Sequence, residues 1–278
     1  MTYAAANFGD GRAQTLGAVT GTSTGTLVTA SATVNTKGAW VSLGTPSFPF
    51  DSLSVFLGGS SAAADYVVDL GIDDGAGNVF AVAEDLRLGA LKGAADLFLN
   101  YQLPLRLPNG VPVSARCACS TASGTLRALV VGTSAGPLSA GGFSRCIALY
   151  TPATSRGVTI DSGATANTKP ATWTQTQAAT SHEVDAIMIG IGPNADVTRT
   201  TATTGLLDIG VGASGSEFAL ASNLLWGFTT TSDTPFPNVV GPLPLGIPAG
   251  SRVSARMQST NATAGDRTVD LAVWGFVA

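Results

Sequence analysis

The chain has 278 residues, of which 12% are charged and 45% hydrophobic, with a formal net charge of -4. That balance excludes a general electrostatic attraction to nucleic acid. Although mean hydropathy is +0.30, no apolar run approaches the roughly 18–20 residues that span a bilayer, so membrane insertion by a helix is excluded too.

The N-terminus, MTYAAANFGDGR, lacks the basic and apolar regions of a secretory signal, and the chain is expected either to work inside the cell that makes it or to leave by another route, such as lysis. Residues 1–26, including the small polar run AQTLGAVTGTSTGT, read as an N-terminal arm, either a frayed terminus or a segment that orders on a neighbour. From there the chain reads as a phrase stated twice. ATVNTKGAW (Ala32–Trp40) resembles ATANTKPATW (Ala164–Trp173), and DSLSVFLG (Asp51–Gly58) resembles DAIMIGIG (Asp185–Gly192). DLGIDDGAGNVFAVAEDLRL (Asp69–Leu88) parallels DIGVGASGSEFALASNLLW (Asp208–Trp226). LPLRLPNGVPVSARCACS (Leu103–Ser120) parallels LPLGIPAGSRVSARMQST (Leu243–Thr260), and LRALVVG (Leu126–Gly132) parallels VDLAVWG (Val269–Gly275). The order is preserved, so an internal duplication into two domains is expected: 27–136 and 137–278, joined by a linker at about 133–144.

Each copy reads as strands. Leu53, Val55 and Leu57 alternate with Ser52, Ser54 and Phe56; Val113, Ala115, Cys117 and Cys119 alternate with Ser114, Arg116 and Ala118. In the second copy Val253, Ala255 and Met257 oppose Ser254, Arg256 and Gln258. A period of two with one apolar face predicts half-buried antiparallel strands, with Arg116 and Arg256 on the outer face. Pro108–Gly110 and Pro248–Gly250 supply tight turns, with Pro presetting φ and Gly accepting positive φ. Few stretches have a helical period; the best is Ala90–Phe98, a short helix or one turn in a loop. SRCIALYT, after the linker, reads as one more strand. The fold expected is all-β: two tandem homologous antiparallel β-sandwich domains, jelly-roll-like or immunoglobulin-like.

Sites of chemistry are few. GVGASG (Gly210–Gly215) matches GxGxxG, but that pattern binds dinucleotides only between a strand and a helix, and here a strand follows; a hairpin loop is expected. Asp73, Asp74 and Asn78 are oxygen-rich but lack the calcium-loop spacing, and the second copy has Gly212 and Ala213 in that region, so an acidic hairpin is expected. His182 is the only histidine and sits in SHEVD, without the partners of HExxH or of a GxSxG triad; it reads as a solvated loop residue. Glu84 and Asp85 are adjacent, and neighbours on a regular strand point to opposite faces, against joint glycosidase chemistry. Three cysteines cannot all pair, and Cys117 and Cys119 share a strand face as filling. Trp40 and Trp173 are matched across copies and read as core; Trp226 and Trp274 stand where the first copy has Leu88 and Val131 and read as strand-interior packing. No catalytic, cofactor-binding or metal-binding residue is assigned, no cofactor is expected, and the chain is expected not to be an enzyme.

The repeated segment IPAGSRVSARMQS (Ile247–Ser259), with LPNGVPVSARCACS in the first copy, resembles a strand-turn-strand found in virion structural proteins of tailed bacteriophages. The resemblance implies a structural component of a bacteriophage virion, decorating or stabilising the head or attached to the tail as in head-fibre and tail-fibre-like proteins, made in the host cytoplasm and released by lysis. Implied partners are other capsid or tail proteins and further copies of the chain, a homo-oligomer with a trimer favoured. The alternative is a receptor- or glycan-binding module such as part of a tail fibre, recognising a host surface glycan; exposed aromatics in a groove would mark it.

Overall fold

The computed structural model describes residues 11–20, 23–89, 98–134, 142–152, 154, 156–194, 199–230 and 236–278. Among them there is no helix, and so none long and apolar enough to cross a bilayer. The helical period at 90–98 lies almost wholly outside the described residues.

The first sandwich is built from β4 (Thr26–Thr29), β5 (Val41–Gly44), β6 (Ser52–Gly58), β7 (Asp65–Asp73), β8 (Val79–Gly89), β9 (Phe98–Leu103), β10 (Val113–Cys119) and β11 (Thr125–Ser134). One sheet runs β4-β11-β6-β9 and the facing set runs β5-β10-β7-β8. The second sandwich uses β13 (Val158–Asp161), β14 (Thr174–Gln177), β15 (Ala186–Pro193), β16 (Thr203–Val211), β17 (Phe218–Phe228), β18 (Asn238–Leu243), β19 (Val253–Ser259) and β20 (Thr268–Val277). It pairs in the same order, β13-β20-β15-β18 against β14-β19-β16-β17. Taken in chain order within each sandwich, the first strand lies beside the eighth and the second beside the seventh. That is the jelly-roll arrangement. The all-β, antiparallel expectation therefore stands, and the segments matched in sequence occupy corresponding strands or, for Ala32–Trp40 and Ala164–Trp173, the corresponding loops before β5 and β14.

The alternating strands behave as their pattern predicts. Leu53, Val55 and Leu57 on β6 and Val113, Ala115, Cys117 and Cys119 on β10 point into the first core. In β19, Val253, Ala255 and Met257 point into the second, with Ile187, Ile189, Leu271 and Val273. Cys117, Cys119 and Cys146 are free and buried.

Two features were not expected. Residues 12–20 and 23–29 are not a detached arm: β1 (Arg12–Leu16) pairs antiparallel with β11, beside β4 on the same strand, while β2 (Val19–Thr20) and β3 (Ser23–Thr24) pair antiparallel with each other. Leu16 is buried in the first core, and that apolar contact draws the segment onto the sheet. Second, β12 (Arg145–Ala148), the strand after the linker, pairs with β20 on one side and touches β8 on the other through Cys146↔Ala83. It fuses the inner sheet of the first sandwich to the first sheet of the second, giving one nine-stranded sheet. That sheet is shared by two cores. Val269, Leu271 and Val273 of β20 face the second core, while Ala272, Trp274 and Phe276 face the first.

Candidate functional site

The junction begins with geometry. β12 is short and meets β8 at a single residue pair, leaving a cleft between β8 and β20 that side chains must fill. Arg87 of β8 fills it, with no surface exposed to solvent. Its Nη2 donates to Asp270 Oδ2 at 3.1 Å and contacts Asp65 Oδ1 at 3.4 Å, and its Nη1 donates to the Asp270 carbonyl at 3.0 Å. Arg156 Nε donates to the other oxygen of Asp65 at 2.9 Å, and Thr159 Oγ1 donates to Asp270 Oδ1 at 2.9 Å. The Phe236 ring lies over the guanidinium at 5.1 Å, and the Phe236 backbone pairs with Gly89 at the end of β8. Trp274 Nε1 reaches the carbonyls of Glu84 and Asp85, and Tyr150 donates to the Asp85 carbonyl. A buried charge survives only when paired and hydrogen-bonded, and here the terminal nitrogens of Arg87 reach Asp65 and Asp270, one from each sandwich, while its Nε has no partner among the described residues.

A second arrangement occurs twice, on the outer face of each sandwich. Asparagine in the NTK phrase adopts a left-handed conformation (φ 57° at Asn35, 58° at Asn167), and its N–H donates to the Cys119 carbonyl in one copy and the Ser259 carbonyl in the other, each at 2.7 Å. Asn tolerates positive φ better than most residues, so this turn aims the lysine back over the sheet. Lys37 Nζ contacts Asp69 Oδ1 and Asp85 Oδ1, both at 2.6 Å. Lys169 Nζ contacts Asp208 Oδ1 at 2.5 Å and Asn223 Oδ1 at 2.6 Å. The arginine of VSAR closes each set: Arg116 Nε to Asp69 Oδ2 at 2.8 Å, and Arg256 Nε to Asp208 Oδ2 at 3.1 Å. Each guanidinium then covers a tryptophan ring, Arg116 on Trp40 and Arg256 on Trp173, both at 4.4 Å from the centroid. The rings lie against Gly71 and Gly210, where a Cβ would stand 2.8 Å from Trp40 Cη2 and 2.7 Å from Trp173 Cζ3.

A β-bulge makes this possible. Between β7 and β8 the register passes from Val68↔Leu86 to Leu70↔Ala83, so Asp69 faces both Glu84 and Asp85. Asp85 has φ 50° and its N–H donates to Asp69 Oδ1 at 2.9 Å. Asn223 repeats it with φ 59° and an N–H to Asp208 Oδ1 at 2.9 Å. Such an extra residue is a built feature of a strand pair.

The chemistry available follows from the partners. Burial opposes ionisation of Asp208, yet Lys169, the Asn223 N–H and Arg256 hold its carboxyl below the usual aspartate range. It is a fixed anion inside a brace. The brace ties the loop before β5 or β14 to the sheet, and Trp40 and Trp173 present to solvent only what their arginines leave uncovered.

Several expected positions change. Trp40 and Trp173 are half-buried on the outer face rather than core, because the loop carrying them folds over the sheet instead of into the sandwich. Glu84 and Asp85 do not point to opposite faces: Ala83 and Leu86 both enter the first core, and the bulge turns the two carboxylates out together. Glu84 pairs with Arg145 at 2.7 Å, whose other nitrogen lies 3.5 Å from His182 Nε2 on an exposed loop. Arg116 and Arg256 lie on the outer face, as the alternation predicts, and Trp226 and Trp274 are buried, as their match to Leu88 and Val131 predicts. GVGASG forms the β16–β17 hairpin turn. Asp73 and Asp74 accept N–H groups of their own turn from Gly75, Ala76, Gly77 and Asn78. Among the described residues no group of His, Cys, Asp or Glu is arranged to hold a metal ion. Lys37 and Lys169 were missed, although NTK stands in both copies and a repeated lysine in a low-charge chain is a legible signal.

No protein-family model and no curated protein matches the chain. Among solved structures, it is similar to PNGase F, a glycosylasparaginase from Flavobacterium meningosepticum, at 10% identity and TM-score 0.41, covering 95% of this chain and 96% of that one. It is similar to PNGF-II at 8% identity and TM-score 0.37, spanning 65% of that protein's length. It is also similar to the CBM22-1–CBM22-2 tandem domain of Paenibacillus barcinonensis Xyn10C, at 10% identity and TM-score 0.26 over 97% of this chain and 92% of that one. One expectation is corrected by these neighbours. A glycosylasparaginase is among the structures that align over nearly the whole chain, so the exclusion of enzymatic activity is withdrawn.

Proposed function

We propose that the chain is a structural component of a bacteriophage virion, carried on the head or tail and assembled there with further copies of itself. The observation that supports this reading is the combination of a rigid two-sandwich body with apolar surface left at both of its ends. The shared sheet and the Arg87 cluster hold the sandwiches as one unit. Val19, Phe56, Phe98 and Leu129 line an apolar cavity of about 380 Å³ on the outer face of the first sheet. At the other end Phe218 and Leu225 are 70% and 75% exposed. Assembly through such surfaces desolvates little charge, in keeping with the chain's 12% charged residues. A closed trimer is the expected form.

The glycan-binding alternative draws less support, because a sugar stacking on Trp40 or Trp173 would have to displace Arg116 or Arg256 from the ring. The test is particle association. Epitope-tagged chain produced in cells during phage development is expected to remain with particles purified on a density gradient. Recovery only in the particle-free fraction would overturn the proposal.

A further inference from the structure

The junction inside the chain has two halves, and the counterpart of each half stands uncovered at an end of the molecule. On the receiving side, β8 and β9 edge the first sandwich, and the second sandwich docks against them. The corresponding strands of the second sandwich are β17 and β18. β17 is an edge strand of its sheet, and so is β18 of the nine-stranded sheet. Aligning EDLRL with SNLLW puts Leu225 at the place of Arg87. Arg87 is sealed by the junction, whereas Leu225 is 75% exposed. Leu225 and Val240 line a cavity of about 240 Å³ with Trp226, whose buried indole N–H has no acceptor among the described residues.

On the entering side, β12 and the outer face of β20 carry the second sandwich onto the first. Their counterparts are β1 and β11, whose pairing repeats theirs: Arg12↔Ser134 stands where Arg145↔Val277 does, and Gln14↔Gly132 where Ile147↔Gly275 does. β1 is the edge of its sheet. Trp274 and Phe276 are buried in the junction, but the matching face of β11 and β6 shows Leu129 and Phe56 to the apolar cavity described above. Arg127 stands where Asp270 does, and its guanidinium is already turned onto the Gly25 carbonyl at 3.1 Å.

We propose that a second copy of this chain docks its β1 edge and outer first sheet onto the β17–β18 edge of the first copy, repeating the internal junction between molecules. The internal junction identifies the occupant: among the described residues, the strand set fitted to the β8–β9 edge is β12 and β20, to which β1 and β11 correspond. The contact is heterologous, head to tail, so copies close into a ring or extend, according to the rotation per step. This deepens the assembly reading above and rests on it.

The test uses full-length chains with one end blocked. Leu225→Asp and Leu129→Asp place a charge on opposite halves of the proposed contact, at side chains that are exposed or half-exposed. Val19→Asp, on the same face and 64% exposed, replaces Leu129→Asp if the latter fails to fold. Light scattering is expected to show the parent as an oligomer, each variant alone as a single chain mass, and an equimolar mixture of the two as a species of two chain masses. In a second measurement, Ala13→Cys and Ala221→Cys chains, at the positions matching Cys146↔Ala83, are mixed under oxidising conditions and are expected to cross-link to each other. An oligomer unmoved by either charged variant, or cross-links confined to one variant alone, would overturn head-to-tail docking while leaving self-assembly standing. A parent that is monomeric at all concentrations would overturn both.

Discussion

Arg87 and Asp270 meet at 3.1 Å across 183 residues of sequence, and neither is exposed to solvent. The contact makes two jelly rolls one body. Replacing Arg87 by Met removes the guanidinium from Asp270 and Asp65 while keeping most of the volume. Breaking one side of a buried ion pair costs roughly 3–5 kcal/mol. Denaturant unfolding is expected to show that loss and to split one transition into two, as the sandwiches uncouple. A single transition displaced by less than about 1 kcal/mol would show that the shared sheet alone holds the halves together.

The second outer-face brace has a defined pH response. The Asp208 carboxyl is held below its ordinary value in the folded chain, by Lys169, Asn223 and Arg256 against the opposing effect of burial. A group lowered in this way contributes stability that is present above its unfolded-state value and is lost as pH falls through its folded-state value. Asp208→Asn is therefore expected to lower stability at neutral pH and to flatten its decline in acid. Parallel acid-unfolding curves for parent and variant would contradict the brace.

Gly210 has no room for a side chain, because its Cβ would stand 2.7 Å from Trp173 Cζ3. Gly210→Ala is expected to lift the ring off the sheet, loosen the Arg256 stack, worth roughly 0.5–2 kcal/mol, and shift tryptophan emission. In the Trp173→Ala background the same glycine change is expected to cost much less. Additive effects in that double-mutant cycle would refute the contact.

The cysteines give an independent probe of the cores. Burial raises the Cys117 thiol to about 12 and pushes Cys146 up as well. Thiolate, the reactive form, is then scarce at pH 8. Alkylation of these cysteines is expected to track global unfolding, with no reaction in the folded chain over hours. Prompt labelling under native conditions would contradict the packing.

What the sequence revealed, and what it hid, has a physical basis. Strands β6, β10 and β19 alternate because one face meets a core and the other solvent, so they were readable, as were the Pro-x-Gly turns. β15 (AIMIGIGP) and β20 (TVDLAVWGFV) are apolar almost throughout because both faces are covered. That lack of alternation was a readable sign of a middle layer. The bulges at Asp85 and Asn223 carry no such sign. Non-glycine residues at positive φ look like any other strand residue, so the side on which Glu84 lies and the outward position of Trp40 were beyond sequence reasoning. The Arg87–Asp270 pair was hidden for another reason: it depends on how β12 joins two domains, and four residues of strand reveal nothing about their neighbours.

The mass of the purified full-length chain in solution, followed by light scattering over a wide concentration range, tests the central claim most directly. The account predicts a stable oligomer, three chain masses if the ring closes as a trimer, that falls to one chain mass on Leu225→Asp. A monomer at every concentration would contradict it.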